Sequence, residues 1–550
     1  MKVPRDPTIR NCRSRAWWKS PIPLLLCVWA VLWRLPAVQA DPVDADWLLT
    51  GGTVIDGTGR PRLPADVAVR GQKIIAVGTF ERGTIAQEID CRGLVIAPGF
   101  IDLHNHSDSQ VVDPQTRANI NFLMQGCTTI VTGNCGSGPV DAAEYYRQID
   151  AAGCGTHVAH LLPQGSLRER VVGLAQRAAT EEEIRQMRDL ARLAMEAGAW
   201  GLSTGLIYVP SSYADTAEIA TIAEVVGQSG GLYVSHIRGE GIQLLAAVQE
   251  ALDIGAKSGC PVHISHFKAS GQDAWGLVQR AAELIEQARQ QGRPVTADQY
   301  PYIASSTSLE ATLVPNWARA GGSRELLARL DDPESGPRIR AAIGEALQNT
   351  EGGGRIRLAR YGGQPRWAGK SLAELAVENH TPPIDLVVEI LRGGGAAVVN
   401  FGMREEDVRF VMTLPWVATA SDGRAYLPGA DRPHPRSYGT FPRKMGHYAQ
   451  RERVLSLEQA IRSATSLPAS ILGLTDRGEI TPERVADLVV FDPERFIDQA
   501  TYEDPHAYAS GVRHVFVAGE PAVWKGSPTG ALRGRALRRS PVRAAEPSPR

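Results

Sequence analysis

Phe100-Ile101-Asp102-Leu103-His104-Asn105-His106-Ser107-Asp108 closes an apolar run that begins at Leu94. On an extended chain residues two apart project to the same face, so His104 and His106 can reach one ion together. A lone His-x-His is ordinary surface or core polarity; its weight here comes from standing at the end of a strand-like run. Seven further runs follow, at 128–134, 158–162, 201–207, 232–235, 262–265, 295–297 and 416–421. Helical stretches such as 181–195 and 243–251 lie between them. Alternation of this kind is the pattern of parallel βα units. Eight units predict an α/β fold built on a (β/α)8 barrel of the TIM type, whose site gathers at the C-terminal ends of the strands.

Outward from the barrel, the gap between the seventh and eighth runs is too long for one βα unit. It predicts an inserted subdomain over about 309–397, with helices at 324–330 and 339–347. Short β segments broken by glycine turns occur at 48–55, 66–70 and 74–77 and return at 486–491 and 514–519. They predict a small β-sandwich domain formed from both termini, 41–97 and 481–537, around a barrel at 98–480. After Leu537 the prolines 541, 547 and 549 predict a disordered tail, 538–550. At the other end Arg13, Arg15 and Lys19 precede a twelve-residue apolar run, 22–33, followed by Val38 and Ala40. That is the layout of a signal peptide over 1–40 cut ahead of Asp41, and it predicts export to the periplasm or the cell exterior. The run is too short for a permanent membrane helix, which takes about 20 residues, so no stable membrane partner is expected.

The 550 residues carry a formal net charge of −1, are 43% hydrophobic and have a mean hydropathy of −0.18. No global basic field exists to collect nucleic acid, so recognition must be local and the partner a small molecule. Of seven cysteines, Cys91, Cys127, Cys135, Cys154 and Cys260 remain after the expected cut. An odd number in an exported chain gives at least one a task other than pairing.

Cys135 is the candidate, because it closes the second run in Thr132-Gly133-Asn134-Cys135-Gly136, where a thiolate would be a good zinc ligand. The ordinary fate of a lone cysteine is burial as an inert apolar group. Two further strand ends supply His236, in Ser235-His236-Ile237-Arg238-Gly239-Glu240, and His266, in His263-Ile264-Ser265-His266-Phe267-Lys268. Any one of these would be structural by default, but four strand ends contributing His or Cys make a metal site. His263, three residues before His266, faces the other way and reads as structural. The eighth run ends in Ser421-Asp422-Gly423, a common turn sequence. At the last strand end Asp422 becomes the candidate general base, able to take a proton from a metal-activated water and return it to a leaving amine.

With these residues in hand the chain resembles the amidohydrolase superfamily and, within it, the N-acyl-D-amino-acid deacylases, or D-aminoacylases. The likeness spans 46–538. It is carried by residues 51–59 (Gly-Gly-Thr-Val-Ile-Asp-Gly-Thr-Gly), 97–102 (Ala-Pro-Gly-Phe-Ile-Asp), Gly133-Asn134-Cys135-Gly136, Asp298-Gln299-Tyr300-Pro301-Tyr302, His434-Pro435-Arg436 and 486–492 (Ala-Asp-Leu-Val-Val-Phe-Asp). The Cys-bearing, Tyr-Pro-Tyr and His-Pro-Arg segments are the more particular to D-aminoacylases. The resemblance implies one tightly held Zn2+ on Cys135, His236 and His266, and a second, weak position near His104, His106 and Asp422. It implies hydrolysis of an N-acyl-D-amino acid, with the substrate carboxylate held by Arg436, Lys268 and Tyr300. Relatives that bridge two metals with a carboxylated lysine carry it after the fourth strand, and 201–208 has no lysine. Departures from the family pattern fall at Ser137, Phe267 and Pro163-Gln164-Gly165, which bear on the acyl and side-chain pockets. Competing readings are a cyclic-amide hydrolase of the dihydroorotase or hydantoinase type and a non-catalytic barrel kept for binding.

Overall fold

A computed structural model describes residues 41–540 of the chain; the expected signal peptide lies outside them. Eight parallel strands form its centre: β1 (Phe100–Asp102), β2 (Cys127–Thr132), β3 (His157–His160), β4 (Gly201–Gly205), β5 (Leu232–His236), β6 (Val262–Ile264), β7 (Val295–Gln299) and β8 (Val417–Thr419). Ladders join β1 to β3 and, separately, β4 to β8. Two seams close the ring. Trp200 N donates to His160 O at 2.9 Å between β3 and β4, and Asp422 N donates to His104 O at 2.8 Å between β8 and β1. Nearly every strand residue is buried, as a parallel sheet covered on both sides requires.

Helices wrap the outside, among them Glu181–Glu196, Thr216–Gln228, Leu244–Ser258 and Leu277–Gln290. In the first of these Thr180 and Glu183 form a capping box, and Met187, Ala191, Ala194 and Met195 face the barrel. Such a cap is worth about 1 kcal/mol.

The run 94–103, expected as one barrel strand, is divided between two sheets. Val95–Pro98 pairs with Leu488–Phe491 and Val43–Val54 in a nine-stranded sheet, and only Phe100–Asp102 enters the barrel. Gly99 makes the break: its N–H donates to Asp487 O at 2.8 Å, and a side chain there would run into Thr128.

The nine-stranded sheet takes strands from both ends of the described chain and curls on itself, so that Trp47 meets Phe516 at 5.5 Å and Trp524 at 5.3 Å across its core. It is tied to the barrel through Asp487, which accepts from Arg477 Nη1 at 2.7 Å and from Ala518 N at 2.8 Å, with His157 Nε2 at 3.3 Å. Burial raises this carboxyl, but His157 and Arg477 outweigh it and hold the group at about 2.

After β7 the chain leaves the barrel. Ser305–Ser308, Ala396–Asn400 and Ile356–Tyr361 form a three-stranded antiparallel sheet, and helices Leu309–Leu313, Ser323–Asp331, Ser335–Gln348, Leu372–Glu378 and Pro383–Arg392 pack with it around a separate core. The expected unfolded tail needs correction at its start. Arg538 pairs with Asp150 at 2.7 Å and Arg539 N donates to Gly198 O at 2.9 Å, so these residues are docked on the barrel. No helix among the described residues is long and apolar enough to cross a membrane.

Candidate metal centre

The C-terminal ends of β1, β2, β5 and β6 bring four donor atoms to one point. Cys135 Sγ lies 3.3 Å from His104 Nε2, 3.6 Å from His236 Nδ1 and 3.8 Å from His266 Nε2, and the last two nitrogens are 2.8 Å apart. Asp422, beyond β8, faces the same cluster, with Oδ1 3.0 Å from His106 Nε2 and 3.5 Å from His104 Nε2. Three overlapping groups can each surround one ion: Cys135, His236 and His266; His104, His106 and Cys135; and His104, His266 and Asp422.

The backbone is bent to present these groups. Cys135, His266 and Asp422 all have positive φ, at 51°, 37° and 50°, a region that costs a non-glycine residue roughly 1–3 kcal/mol and that concentrates at functional sites. Around Cys135 the turn is held by neighbours of the right kind. Asn134 Nδ2 donates to Val131 O at 2.9 Å, and Gly136 N donates to Ser203 Oγ at 3.1 Å. Gly136 itself has φ 69°, and a Cβ there would stand 2.9 Å from Gly205 N.

Electrostatically the cluster is a cation site. Burial alone would raise the Cys135 thiol, but His104, His106 and His236 outweigh it and hold the group well below its ordinary value, as a thiolate. Burial would likewise raise the Asp422 carboxyl, and Arg436 with His104 and His106 holds it well below the usual range. His104 is pushed the other way, raised against its burial by Cys135, Asp422 and Asp298. A buried thiolate with two buried carboxylates needs positive charge among them.

Several contributors escaped the sequence reading. Asp298, on β7, lies 3.4 Å from His104 Nδ1, accepts from His266 N at 2.8 Å and sits 2.9 Å from His263 Nε2. His263, read as structural, supports Asp298 from behind the cluster. Glu240 Oε1 is 2.9 Å from His266 Nδ1 and 2.5 Å from Lys268 Nζ. A carboxylate on the far nitrogen turns the near one toward the cluster. Asp102 clamps the last strand to the first, accepting from Ser421 N at 2.8 Å and Ser421 Oγ at 2.5 Å. Asp298 ends a predicted strand in the same way as the candidate ligands do, a signal that was present; Glu240 has no comparable mark.

Arg436 opens the helix Arg436–Pro442 and is 5% exposed. Its Nη1 is 2.7 Å from Asp422 Oδ2, an ion pair off the ideal hydrogen-bond direction, and its Nη2 donates to Ser306 O at 3.2 Å. The guanidinium lies over the Tyr300 ring, 4.7 Å from its centroid, and Tyr300 Oη is buried with no hydrogen-bond partner among the described residues. Tyr208, after β4, stacks edge-on against His236 at 5.2 Å and shares a 2.9 Å contact with Thr307 of the insertion. The cleft is thus bounded by the barrel mouth on one side and by residues 304–308 on the other.

Comparison with known proteins agrees with this geometry. The profile of the amidohydrolase family matches residues 87–523. D-aminoacylase of Alcaligenes xylosoxydans xylosoxydans is 36% identical over 525 residues, which cover 91% of this chain and 99% of that one. A solved D-aminoacylase superposes with a TM-score of 0.77 at 34% identity, covering 90% of this chain and 100% of the other. N-acyl-D-glutamate deacylase from Bordetella bronchiseptica, solved with zinc and a phosphonate mimic of the tetrahedral intermediate, also reaches 0.77, at 32% identity, with coverage of 90% and 100%. The chain belongs to the amidohydrolase family, in its D-aminoacylase branch.

Proposed function

We propose that this protein is a zinc-dependent hydrolase that cleaves the amide of N-acyl-D-amino acids to a carboxylate and a free D-amino acid. The observation that carries the reading is the convergence of Cys135, His236 and His266 on one point, with Asp422 and Arg436 paired beside it. One thiolate and two imidazoles suit zinc and leave a coordination position for substrate or water. His236 turns Nδ1 to the cluster, 3.6 Å from Cys135 Sγ, and its Nε2 is buried with no hydrogen-bond partner among the described residues. His104, His106 and Asp422 are the residues for a second, weaker ion.

Zinc held there by Cys135, His236 and His266 would polarise the substrate carbonyl and acidify a water molecule. Asp422 takes a proton from the water whose oxygen adds to the amide carbonyl carbon, and returns it to the nitrogen as the C–N bond breaks. Arg436 receives the substrate carboxylate as a planar bidentate partner, with Tyr300 beneath it. In an N-acyl-amino acid only the α-carbon separates the carboxylate from the amide nitrogen. A carboxylate anchored on Arg436 therefore sets the scissile bond next to Asp422, which the same guanidinium already touches. Lys268, bound to Glu240, adds positive charge at 5.8 Å from the Tyr300 ring. Export is part of the same reading, supported by Arg13, Arg15, Lys19 and the apolar run 22–33.

Purified, zinc-loaded protein tests this with N-acetyl-D-methionine, its L enantiomer and a hydantoin. Turnover of the D substrate is expected, and Asp422→Asn should lower it by roughly 10²–10⁴-fold with the zinc on Cys135, His236 and His266 retained. Full turnover by Asp422→Asn would remove the proton shuttle, and preference for the hydantoin would replace the substrate class.

A further inference from the structure

His434 belongs to the His-Pro-Arg segment but has no role in the reaction as described. It is 2% exposed and both ring nitrogens are engaged. Arg436 N donates to Nδ1 at 3.0 Å, which leaves the proton on Nε2, and Nε2 donates to Ala304 O at 2.9 Å. Three tyrosines fix the ring plane: Tyr302 and Tyr502 pack edge-on at 5.1 and 5.2 Å, and Tyr300 at 6.0 Å. Burial, reinforced by the Arg436 charge, pushes the imidazole well below its ordinary value, so it stays neutral.

The two hydrogen bonds join different parts of the molecule. Arg436 follows the loop after β8; Ala304 lies where the chain leaves β7 for the insertion. Two residues beyond Ala304, Ser306 O accepts from the Arg436 guanidinium. His434 therefore ties the backbone of the arginine to the strand that carries the arginine's own acceptor. It sets the distance between them.

We infer that His434 is the positioning residue for the carboxylate-binding arginine, acting through Arg436 and touching neither substrate nor metal. The inference rests on the proposed reaction. Without the imidazole, Arg436 keeps its charge and its pairing with Asp422 but loses the fixed separation from 304–306. The substrate carboxylate, and with it the amide, then sits off line; a displacement of about 1 Å can cost on the order of 10²-fold in rate.

The experiment compares wild type, His434→Ala and His434→Asn on N-acetyl-D-methionine and on the same compound with its carboxylate capped as a primary amide. Asparagine can accept from the N–H two residues on, as in an Asx turn, but cannot reach Ala304. For the free acid, His434→Ala should lower kcat/KM by about 10–100-fold, through kcat as well as KM, with His434→Asn between it and wild type. For the capped compound the variants should match wild type. In an Arg436→Met background His434→Ala should cost nothing more, since residues that act through one another are not additive. Unchanged zinc content in each variant confirms an intact site. Equal losses on both compounds, or full additivity with Arg436→Met, would overturn the inference while leaving the reaction standing. A wild-type protein inert toward every N-acyl-D-amino acid would overturn the reaction and the inference with it.

Discussion

Lys444 is buried at 1% exposure with no hydrogen-bond partner for Nζ among the described residues, in the π-helical stretch Arg443–Arg451 that continues the Arg436 helix. Burial alone lowers its amine from 10.5 to about 7. The folded-state value is the lower one, so the unfolded chain binds this proton more tightly. The resulting penalty is complete below about pH 7 and fades as pH rises toward 10.5. Integration between the two values gives a cost of about 4 kcal/mol at pH 7 and about 2 kcal/mol at pH 9. Lys444→Met keeps the length and shape of the side chain and removes the charge. It should stabilise the protein by up to these amounts, read as the shift in the urea unfolding transition followed by tryptophan fluorescence. Any change in methionine packing is the same at both pH values, so the difference of about 2 kcal/mol between pH 7 and pH 9 is the diagnostic. A gain independent of pH, or a loss, would show that Nζ has a partner and refute the reasoning.

Two other substitutions probe separate supports. Glu240→Gln weakens the grip on His266 Nδ1 and should lower zinc affinity by roughly 10–100-fold, measured by competition with a chromophoric chelator; unchanged affinity would mean that Glu240 serves Lys268 alone. Asp487→Asn removes one of the two carboxylates on the buried Arg477, Asp476 staying on Nε and Nη2 at 3.1 Å, and should cost about 1–3 kcal/mol in a urea transition at pH 7. Because the carboxyl is held near 2, below its ordinary value, its contribution is present at neutral pH and fades only as pH falls toward that value. A variant as stable as wild type at pH 7 would show that the barrel and the nine-stranded sheet hold together without this junction.

The barrel was legible because its strands are buried on both faces. Short stretches such as Thr128-Thr129-Ile130-Val131-Thr132, rich in β-branched residues and closed by a glycine turn, read as strands, and the His, Cys or Asp just beyond such stretches stand out against them. The same rule misled at 94–103, where one apolar run serves two sheets and only the close approach of Gly99 to Thr128 separates them. Strand Arg82–Asp90 was missed for the opposite reason: it is mostly exposed and polar, and it is a strand because it pairs in parallel with Val43–Val54. At the site, residues that end strands could be read one by one. Glu240 could not, since its partner His266 comes from the next βα unit and only the pairing of β5 with β6 brings them together. The burial of Lys444 left no trace either, because a lysine beside Arg443 and His447 looks like a solvated turn.

Zinc K-edge X-ray absorption on the purified protein tests most directly whether Cys135, His236 and His266 share one ion. At one zinc per chain the first shell should contain a single sulfur at about 2.3 Å with nitrogen or oxygen at about 2.0–2.1 Å, and the sulfur should vanish in Cys135→Ser. A shell of nitrogen and oxygen alone in the wild-type protein, or a sulfur that survives Cys135→Ser, would contradict it.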